Sequence, residues 1–409
     1  MASAVVSVTG ARPEARLRRS PWAWGLGAVV ALGLVAWVYE LQHGLAATGM
    51  RDVVSWGMYI FTFAYFVGLS AGGLIVASSA EVFGVAALRP LSRLGVLTAL
   101  VFSGAAALMI IPDLGQPARI LNLFIYPNWT SPLIWDITII AVYFVFSAVE
   151  MYVMVRHPER RHTLRVFAYV GLPLAVLLHS ITAIIFGLQF ARPWWNTALM
   201  PPIFVASAIT SGTAGIVLIA WIVERLRGVS VRATTWRWLA GLTAVALAID
   251  LFFVACDYVT IAWDGIPADR AALSLILPGG PFQFTFWLEW VVGGLVPFVI
   301  LVSSRLRRNP LNLAVAAALV LVGVYAFRIE LVVPGFVNPL IQLPPGTAIG
   351  TTGFASSFQL IGRYFPTWVE YAITAGMFAL IALAIAFGYR RLGIERAIAQ
   401  AEVAPDVAP

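Results

Sequence analysis

The sequence predicts an all-α integral membrane protein with about ten transmembrane helices. Ten apolar segments are each long enough to cross a hydrocarbon core, which takes about 20 residues of helix. They lie at 22–41, 54–83, 91–113, 131–155, 165–190, 200–226, 236–262, 282–304, 311–332 and 364–389. The composition agrees, since 61% of the residues are apolar and only 11% are charged.

The arginines predict the orientation of these helices. All 26 basic residues are arginines, and 20 of them fall in the two tails or in every second connection, at positions 12, 16, 18, 19, 89, 93, 156, 160, 161, 165, 225, 227, 232, 237, 305, 307, 308, 390, 391 and 396. Because arginine-rich short loops stay in the cytoplasm, we expect both termini to be cytoplasmic, in the inner membrane of a bacterium. The net charge of +7 is then explained by arginines that contact anionic lipid headgroups, and it does not indicate nucleic-acid binding.

A weak internal repeat predicts how the helices group. Residues 70–72 and Glu81 resemble residues 213–215 and Glu224, and His179 corresponds to Arg328. We expect two parallel four-helix bundles, helices 2–5 and helices 6–9, with helices 1 and 10 outside them. Small residues at Gly68 and Gly72, and at Ser211 and Gly215, favour close packing of helices 2 and 6.

The chain divides accordingly. The predicted parts are a cytoplasmic tail at 1–21, the first helix and an outer loop at 22–53, the first bundle at 54–190, the second bundle at 191–332, a long outer loop at 333–363, the last helix at 364–391 and a second cytoplasmic tail at 392–409. The outer connections are longer than the inner ones, and loops of that length tend to be functional or partner-bound.

Ionisable residues inside spanning helices are costly and are therefore functional candidates. Asp113, Asp136 and His179 lie on the outer side of the first predicted bundle. Their other interpretation is a set of buried polar bridges between helices. The second bundle carries Asp250, Asp257, Glu289 and Arg328, which form either a proton route or a structural ion-pair network.

The sequence argues against a redox metal of its own. Cys256 is the single cysteine, so neither a disulfide nor a cysteine ligand set for an iron–sulfur cluster is available within the chain. A membrane-embedded haem b usually takes two histidine ligands, and His179 is the one histidine well inside a predicted helix. We therefore expect no haem and no iron–sulfur cluster in this chain.

Several motifs resemble the NrfD/polysulfide-reductase membrane-subunit family. They are WGMY at 56–59, GLSAGG at 68–73, DLGQPAR at 113–119, SPLIWD at 131–136, HSITAIIFG at 179–187, PFQFTFWLEW at 281–290 and YFPTWVE at 364–370. Their order and the ten-helix length are similar to the longer branch of that family, which includes membrane subunits of hydrogenase-2, of the sulfite-reduction-associated complex and of alternative complex III.

The resemblance implies a quinone site near the outer face, with ubiquinone or menaquinone as the substrate. Electrons would pass between quinone and a docked iron–sulfur protein of the four-cluster ferredoxin type, in a complex with a catalytic molybdopterin, hydrogenase or multihaem subunit. The chain would then be one subunit of a quinone-linked respiratory oxidoreductase embedded in membrane lipid.

Quinone chemistry suggests roles for particular residues. Quinol oxidation releases two protons with its two electrons, so the quinone oxygens need partners that can titrate. We assign that role to His179 together with Asp113 or Asp136. Ring contacts and positioning are assigned to Trp56, Tyr59, Arg119 and Trp135, although aromatic residues at these depths are also ordinary interface anchors.

Two other functions remain open on the sequence alone. Parallel repeats with buried Asp250 and Asp257 also suit a secondary transporter or a proton-translocating protein, although no broken helix with central Gly/Pro pairs is evident. The third alternative is a passive anchor that only assembles its partners.

Overall fold

Ten long helices account for most of the structure, a computed structural model that describes residues 21–51, 53–228, 230–337, 364–395 and 397–398. All ten are long and apolar enough to cross a membrane. We number them α1 Pro21–His43, α2 Met58–Val82, α3 Ser92–Asp113, α4 Pro132–Arg156, α5 Arg161–Gly187, α6 Met200–Arg227, α7 Ala233–Trp263, α8 Gln283–Val302, α9 Pro310–Val337 and α10 Trp368–Arg391. The predicted fold class is confirmed.

The helices form two rings of four. Helices α2 to α5 pack in sequence and α5 closes back on α2, while α6 to α9 do the same and α9 closes on α6. The two bundles meet where α2 packs against α6. Outside them, α10 packs against α1 and also contacts α3. The predicted grouping into two bundles with two outer helices therefore matches the observed contacts.

Small residues allow the two bundles to approach closely. A Cβ atom added to Gly72 would lie 2.1 Å from the carbonyl oxygen of Ala208 and 2.5 Å from the Cα atom of Gly212. The predicted close packing of α2 on α6 is confirmed, but Gly212 stands at the crossing in place of Gly215. A Cβ atom on Gly215 would meet only the Leu69 side chain, because Gly215 lies beyond the crossing point.

The eighth helix changes its winding near the predicted outer end. Its residues Leu288–Leu295 form a π-helical stretch between two α-helical turns. Pro297 follows two residues after its end and has no N–H to donate, which disfavours regular α-helical bonding there. Such π-helical insertions frequently occur at functional sites, and this one carries Glu289.

The two ends of the helix array differ. We call the end holding the connections at 83–91, 157–160, 228–232 and 303–309 the arginine-rich face, and the opposite end, with connections at 44–57, 114–131, 188–199 and 264–282, the loop-rich face. The loop-rich face also holds the short helix Pro267–Ile276. The tail at 1–20, most of the predicted outer loop (338–363) and the C-terminal residues from 399 lie outside the described residues.

Candidate functional site

Buried ionisable side chains collect at three places between the helices. The first is at the loop-rich ends of α1, α2, α3 and α10, the second at the junction of the two bundles, and the third inside the second bundle. We call them the Tyr364 group (Glu40, Tyr59, Asp113, Tyr364, Glu370), the His179 group (His179, Ser207, Arg328) and the Glu330 group (Asp250, Tyr258, Glu289, Glu330). Each group joins side chains that are far apart in the sequence.

Two short phenol–carboxyl hydrogen bonds organise the Tyr364 group. The Tyr59 hydroxyl donates to Oε2 of Glu40 at 2.5 Å, and the Tyr364 hydroxyl donates to Oε1 of Glu370 at 2.5 Å. The Tyr364 oxygen also accepts the backbone N–H of Met58 at 2.6 Å. Tyr364 thus ties the first turn of α2 to the first turn of α10.

The local backbone leaves room for these bonds. A Cβ atom on Gly57 would lie 2.4 Å from the Tyr364 hydroxyl oxygen, so a larger residue at position 57 would displace the phenol. Glu370 also accepts the backbone N–H groups of Gly49 at 2.6 Å and Thr367 at 2.9 Å. Thr367 and Glu370 form a capping box at the start of α10, so Glu370 caps this helix and also contacts the loop after α1.

Asp113 completes this group from the end of α3. It lies within electrostatic range of both Glu40 and Glu370. Its Oδ1 atom is buried and has no hydrogen-bond partner among the described residues. Three carboxyl groups therefore face one another, and burial together with the neighbouring Glu370 raises the pKa of Tyr364 above its ordinary range.

Two cavities lie close to the Tyr364 group and are lined by neighbours of its members. A cavity of about 430 Å³ is lined by Met58, Tyr325 and Tyr371, among others. A second cavity, of about 140 Å³, lies between α1, α3 and α10 beside Trp37 and Pro112. Met58 and Tyr371 adjoin Tyr59 and Glu370 in the sequence, and Pro112 adjoins Asp113, so both cavities border this group.

The His179 group lies deeper and is sealed. His179 and Arg328 are both 0% exposed, and Nη2 of Arg328 lies 3.3 Å from Nε2 of His179. The same Nη2 atom donates to Oγ of Ser207 at 3.0 Å, and the guanidinium sits 4.0 Å from the Phe204 ring centroid. The two residues that correspond in the sequence repeat thus meet at the junction of the bundles.

Asp136 has a different partner. Its Oδ1 atom accepts the hydroxyl hydrogen of Thr182 at 2.6 Å, which bridges α4 and α5. The predicted proton-exchanging residues are therefore distributed: Asp113 joins the Tyr364 group, His179 contacts Arg328, and Asp136 contacts Thr182.

The predicted quinone-contacting residues are also divided. Tyr59 belongs to the Tyr364 group. Trp56 stacks on Trp195 with ring centroids 5.9 Å apart and makes edge contacts with two phenylalanines. Trp135 donates its indole N–H to the carbonyl of Trp129 at 2.7 Å, while Arg119 is exposed on the short helix Pro117–Leu121.

The Glu330 group fills the second bundle. The Tyr258 hydroxyl donates to Oε2 of Glu330 at 2.8 Å, and Glu289 neighbours Glu330. Asp250 and Glu289 both act electrostatically on Arg328, which links this group to His179. Three residues predicted as a proton route or ion-pair network, Asp250, Glu289 and Arg328, are thus connected, and Asp257 lies within range of Tyr258.

The predicted site residues include Tyr59 and Asp113 but not the other three members of the Tyr364 group, Glu40, Tyr364 and Glu370. Glu40 carried a usable signal, since it is a carboxyl group near the end of an apolar segment. Tyr364 carried none, because a tyrosine at a membrane interface is ordinary. Within the described ranges, no three His, Cys, Asp or Glu side chains are placed to hold a metal ion.

Comparison with known proteins assigns the protein to a family. The family model "Polysulphide reductase, NrfD" matches residues 46–339. The chain belongs to this family. The predicted resemblance is therefore confirmed, and the NrfD match spans α2 to α9, with α1 and α10 outside it.

Curated relatives extend the match to nearly the whole chain. A putative membrane subunit of dimethyl sulfoxide reductase from Halobacterium salinarum is 34% identical, and the match covers 94% of each protein. The Hdr-like menaquinol oxidoreductase integral membrane subunit of Archaeoglobus fulgidus is 29% identical over 91% of this chain and 93% of its own. One of the polysulfide reductase polypeptides of Wolinella succinogenes is 24% identical over 69% of this chain and 95% of its own length.

Proposed function

We propose that this chain is the quinone-reactive membrane subunit of a respiratory oxidoreductase complex. The NrfD match and relatives named for menaquinol oxidation and polysulfide reduction support this proposal. The name of the Archaeoglobus fulgidus relative, which mentions menaquinol, favours menaquinone as the substrate. The observation that carries the proposal is the Tyr364 group, where carboxyl and phenol groups meet beside two cavities between membrane-spanning helices.

The chemistry of this group suits a quinone headgroup. Each oxygen of the headgroup gains or loses a proton as the electrons move, and buried carboxyl and phenol groups can exchange protons with it. Asp113 presents a buried oxygen without a described partner, so it is the proposed proton acceptor. Tyr364, whose raised pKa keeps its proton, holds the Glu370 carboxyl in place through its hydroxyl, and the Tyr59–Glu40 pair carries protons onward.

His179 and Asp136 stay in the proposal as alternative proton-exchanging residues. Both are buried between helices, yet their hydrogen bonds to Arg328 and Thr182 equally suit a structural role. Trp56 and Trp135 would act as ring neighbours near the loop-rich face.

The electron partner is proposed to dock on the loop-rich face, which we take as the outer one, with both termini in the cytoplasm. This face carries the exposed Arg119 and the exposed aromatic residues Phe124, Tyr126 and Trp129. The proposed partner is an iron–sulfur protein of the four-cluster ferredoxin type, bound to a catalytic subunit of the molybdopterin, hydrogenase or multihaem kind.

A test should separate the two candidate locations. Asp113→Asn keeps the shape of the side chain but cannot titrate, and we expect it to abolish quinone-linked turnover in the assembled complex while partner activity with an artificial electron mediator persists. Asp136→Asn is the matched control, since it alters another buried carboxyl group. Loss of turnover in Asp136→Asn and His179→Ala, with normal turnover in Asp113→Asn, would move the site to α4 and α5.

A second function, proton transfer through the second bundle, rests on the link from Glu330 and Glu289 through Arg328 to His179. Polar chains inside membranes commonly serve as proton relays. Glu289→Gln should then abolish proton uptake by proteoliposomes during turnover and leave the electron transfer rate intact. Unchanged proton uptake would leave these residues with a structural role.

A further inference from the structure

A large apolar cavity lies on the side of the molecule, near the arginine-rich face. Its volume is about 770 Å³, and it lies between α1, α2, α6 and α10. Its deep end is lined by Tyr65, Leu321 and Phe378, which also line the 430 Å³ cavity near the Tyr364 group. We call the larger cavity the lateral groove; most of its lining is aliphatic or aromatic.

The mouth of the larger cavity is more polar than the rest of its lining. Trp22, Arg227, Tyr389 and Arg390 line it at the arginine-rich ends of their helices. Tryptophan, tyrosine and arginine at this depth are typical of the lipid headgroup region. The cavity is therefore apolar along its length and basic at one end.

Two polar atoms at this mouth lack partners. The Tyr389 side chain is 4% exposed, and neither its hydroxyl oxygen nor the buried Nη1 atom of Arg390 has a hydrogen-bond partner among the described residues. Buried donors without acceptors are costly. An acceptor supplied by a bound molecule would satisfy both.

The charges at the mouth favour an anion. Arg227 lies within electrostatic range of Arg390, so two like charges face each other. Glu395 also acts on Arg390 and on Tyr389, and it offsets one of the two positive charges. One net positive charge remains, together with two unsatisfied donors.

We propose that this groove binds one anionic phospholipid, with its phosphate at Arg390, Tyr389 and Arg227 and an acyl chain in the cavity. Phosphate supplies several strong acceptor oxygens, which suits guanidinium donors. The apolar groove gives an acyl chain a protein surface in place of bulk lipid. A quinone tail would fit the same apolar lining, but it would leave the donors at the mouth unsatisfied.

The experiment is lipid identification on the full-length chain purified in a mild detergent, followed by titration of delipidated protein with phosphatidylglycerol or phosphatidylcholine. We expect one anionic phospholipid per chain and preferential binding of phosphatidylglycerol. Arg390→Gln should weaken that binding roughly tenfold, as expected for loss of a charge-assisted hydrogen bond. The matched control is Arg308→Gln, an exposed arginine on the same face that does not line the cavity, and it should bind normally.

Two further variants keep the proposal falsifiable. Tyr389→Phe removes only the hydroxyl and should reduce affinity without altering the fold, and Ile219→Trp should exclude the acyl chain by filling the cavity. Inorganic phosphate should not compete at millimolar concentration; competition would indicate a free phosphate site without an acyl chain. Equal affinity for phosphatidylcholine, unchanged binding in Arg390→Gln, or a copurified quinone in place of phospholipid would overturn the proposal.

Discussion

Replacing Tyr364 by phenylalanine tests whether the phenol holds α2 and α10 together. The hydroxyl accepts the N–H of Met58 and donates to Glu370, so both bonds are lost while the ring remains. The Met58 N–H begins a helix and has no intrahelical acceptor, so burying it unpaired costs about 1–3 kcal/mol. Losing the bond to the Glu370 carboxyl adds a similar amount, which gives a total of roughly 2–6 kcal/mol.

The measurement is equilibrium unfolding of the purified chain in mixed micelles, followed by tryptophan fluorescence. Tyr371→Phe is the matched control, because Tyr371 lies directly after Glu370 in α10 and is 55% exposed. We expect Tyr364→Phe to lower the free energy of unfolding by at least about 2 kcal/mol relative to that control. Equal stability of the two variants would refute the assignment of a structural role to this hydroxyl.

Three other predictions follow from the contacts described above. Gly72→Val should destabilise the junction of the bundles by about 1–3 kcal/mol or more through overpacking. Gly241→Ala should be near neutral in the same unfolding assay, because no neighbouring atom lies within 4 Å of an added Cβ atom there. Burial, together with the hydrogen bond and charge of Asp264, raises the pKa of Asp269 to about 6, so the folded state binds this proton more tightly than the unfolded state does. Protection of the helix Pro267–Ile276 from hydrogen exchange should therefore fall as the pH rises through 6. Asp269→Asn should remove most of this pH dependence. Arg328→Met removes the contact with Nε2 of His179, so the NMR signals of the His179 ring should shift. Unchanged ring signals would show that the two side chains do not interact.

Helix number and grouping were predictable because they depend on length, apolarity and small residues. Ten apolar runs, each bounded by arginines or turn residues, leave little freedom in the count of spanning helices. The predicted repeat also brought His179 and Arg328 into correspondence, and the two meet in the structure.

The rotation of each helix about its own axis was not predictable. Helices such as α2 and α3 are apolar on every side, so their sequences do not indicate which face meets which neighbour. Asp113, Asp136 and His179 were therefore expected together, although each contacts a different partner. The Tyr364 group depends on contacts between residues more than 300 positions apart, and no local sequence pattern predicts such contacts.

The pairing of α1 with α10 has a consequence for synthesis of the protein. The backbone N–H of Gly49 donates to Glu370, 321 positions later in the sequence. The loop after the first helix therefore has no acceptor for this bond until the last helix has been synthesised. Glu40 and Asp113 enter the membrane long before Tyr364 and Glu370 leave the ribosome. A chain stopped before residue 364 would hold both bundles but lack two of the five side chains in the Tyr364 group, and pulse-labelled truncations should insert yet be degraded faster than the full chain.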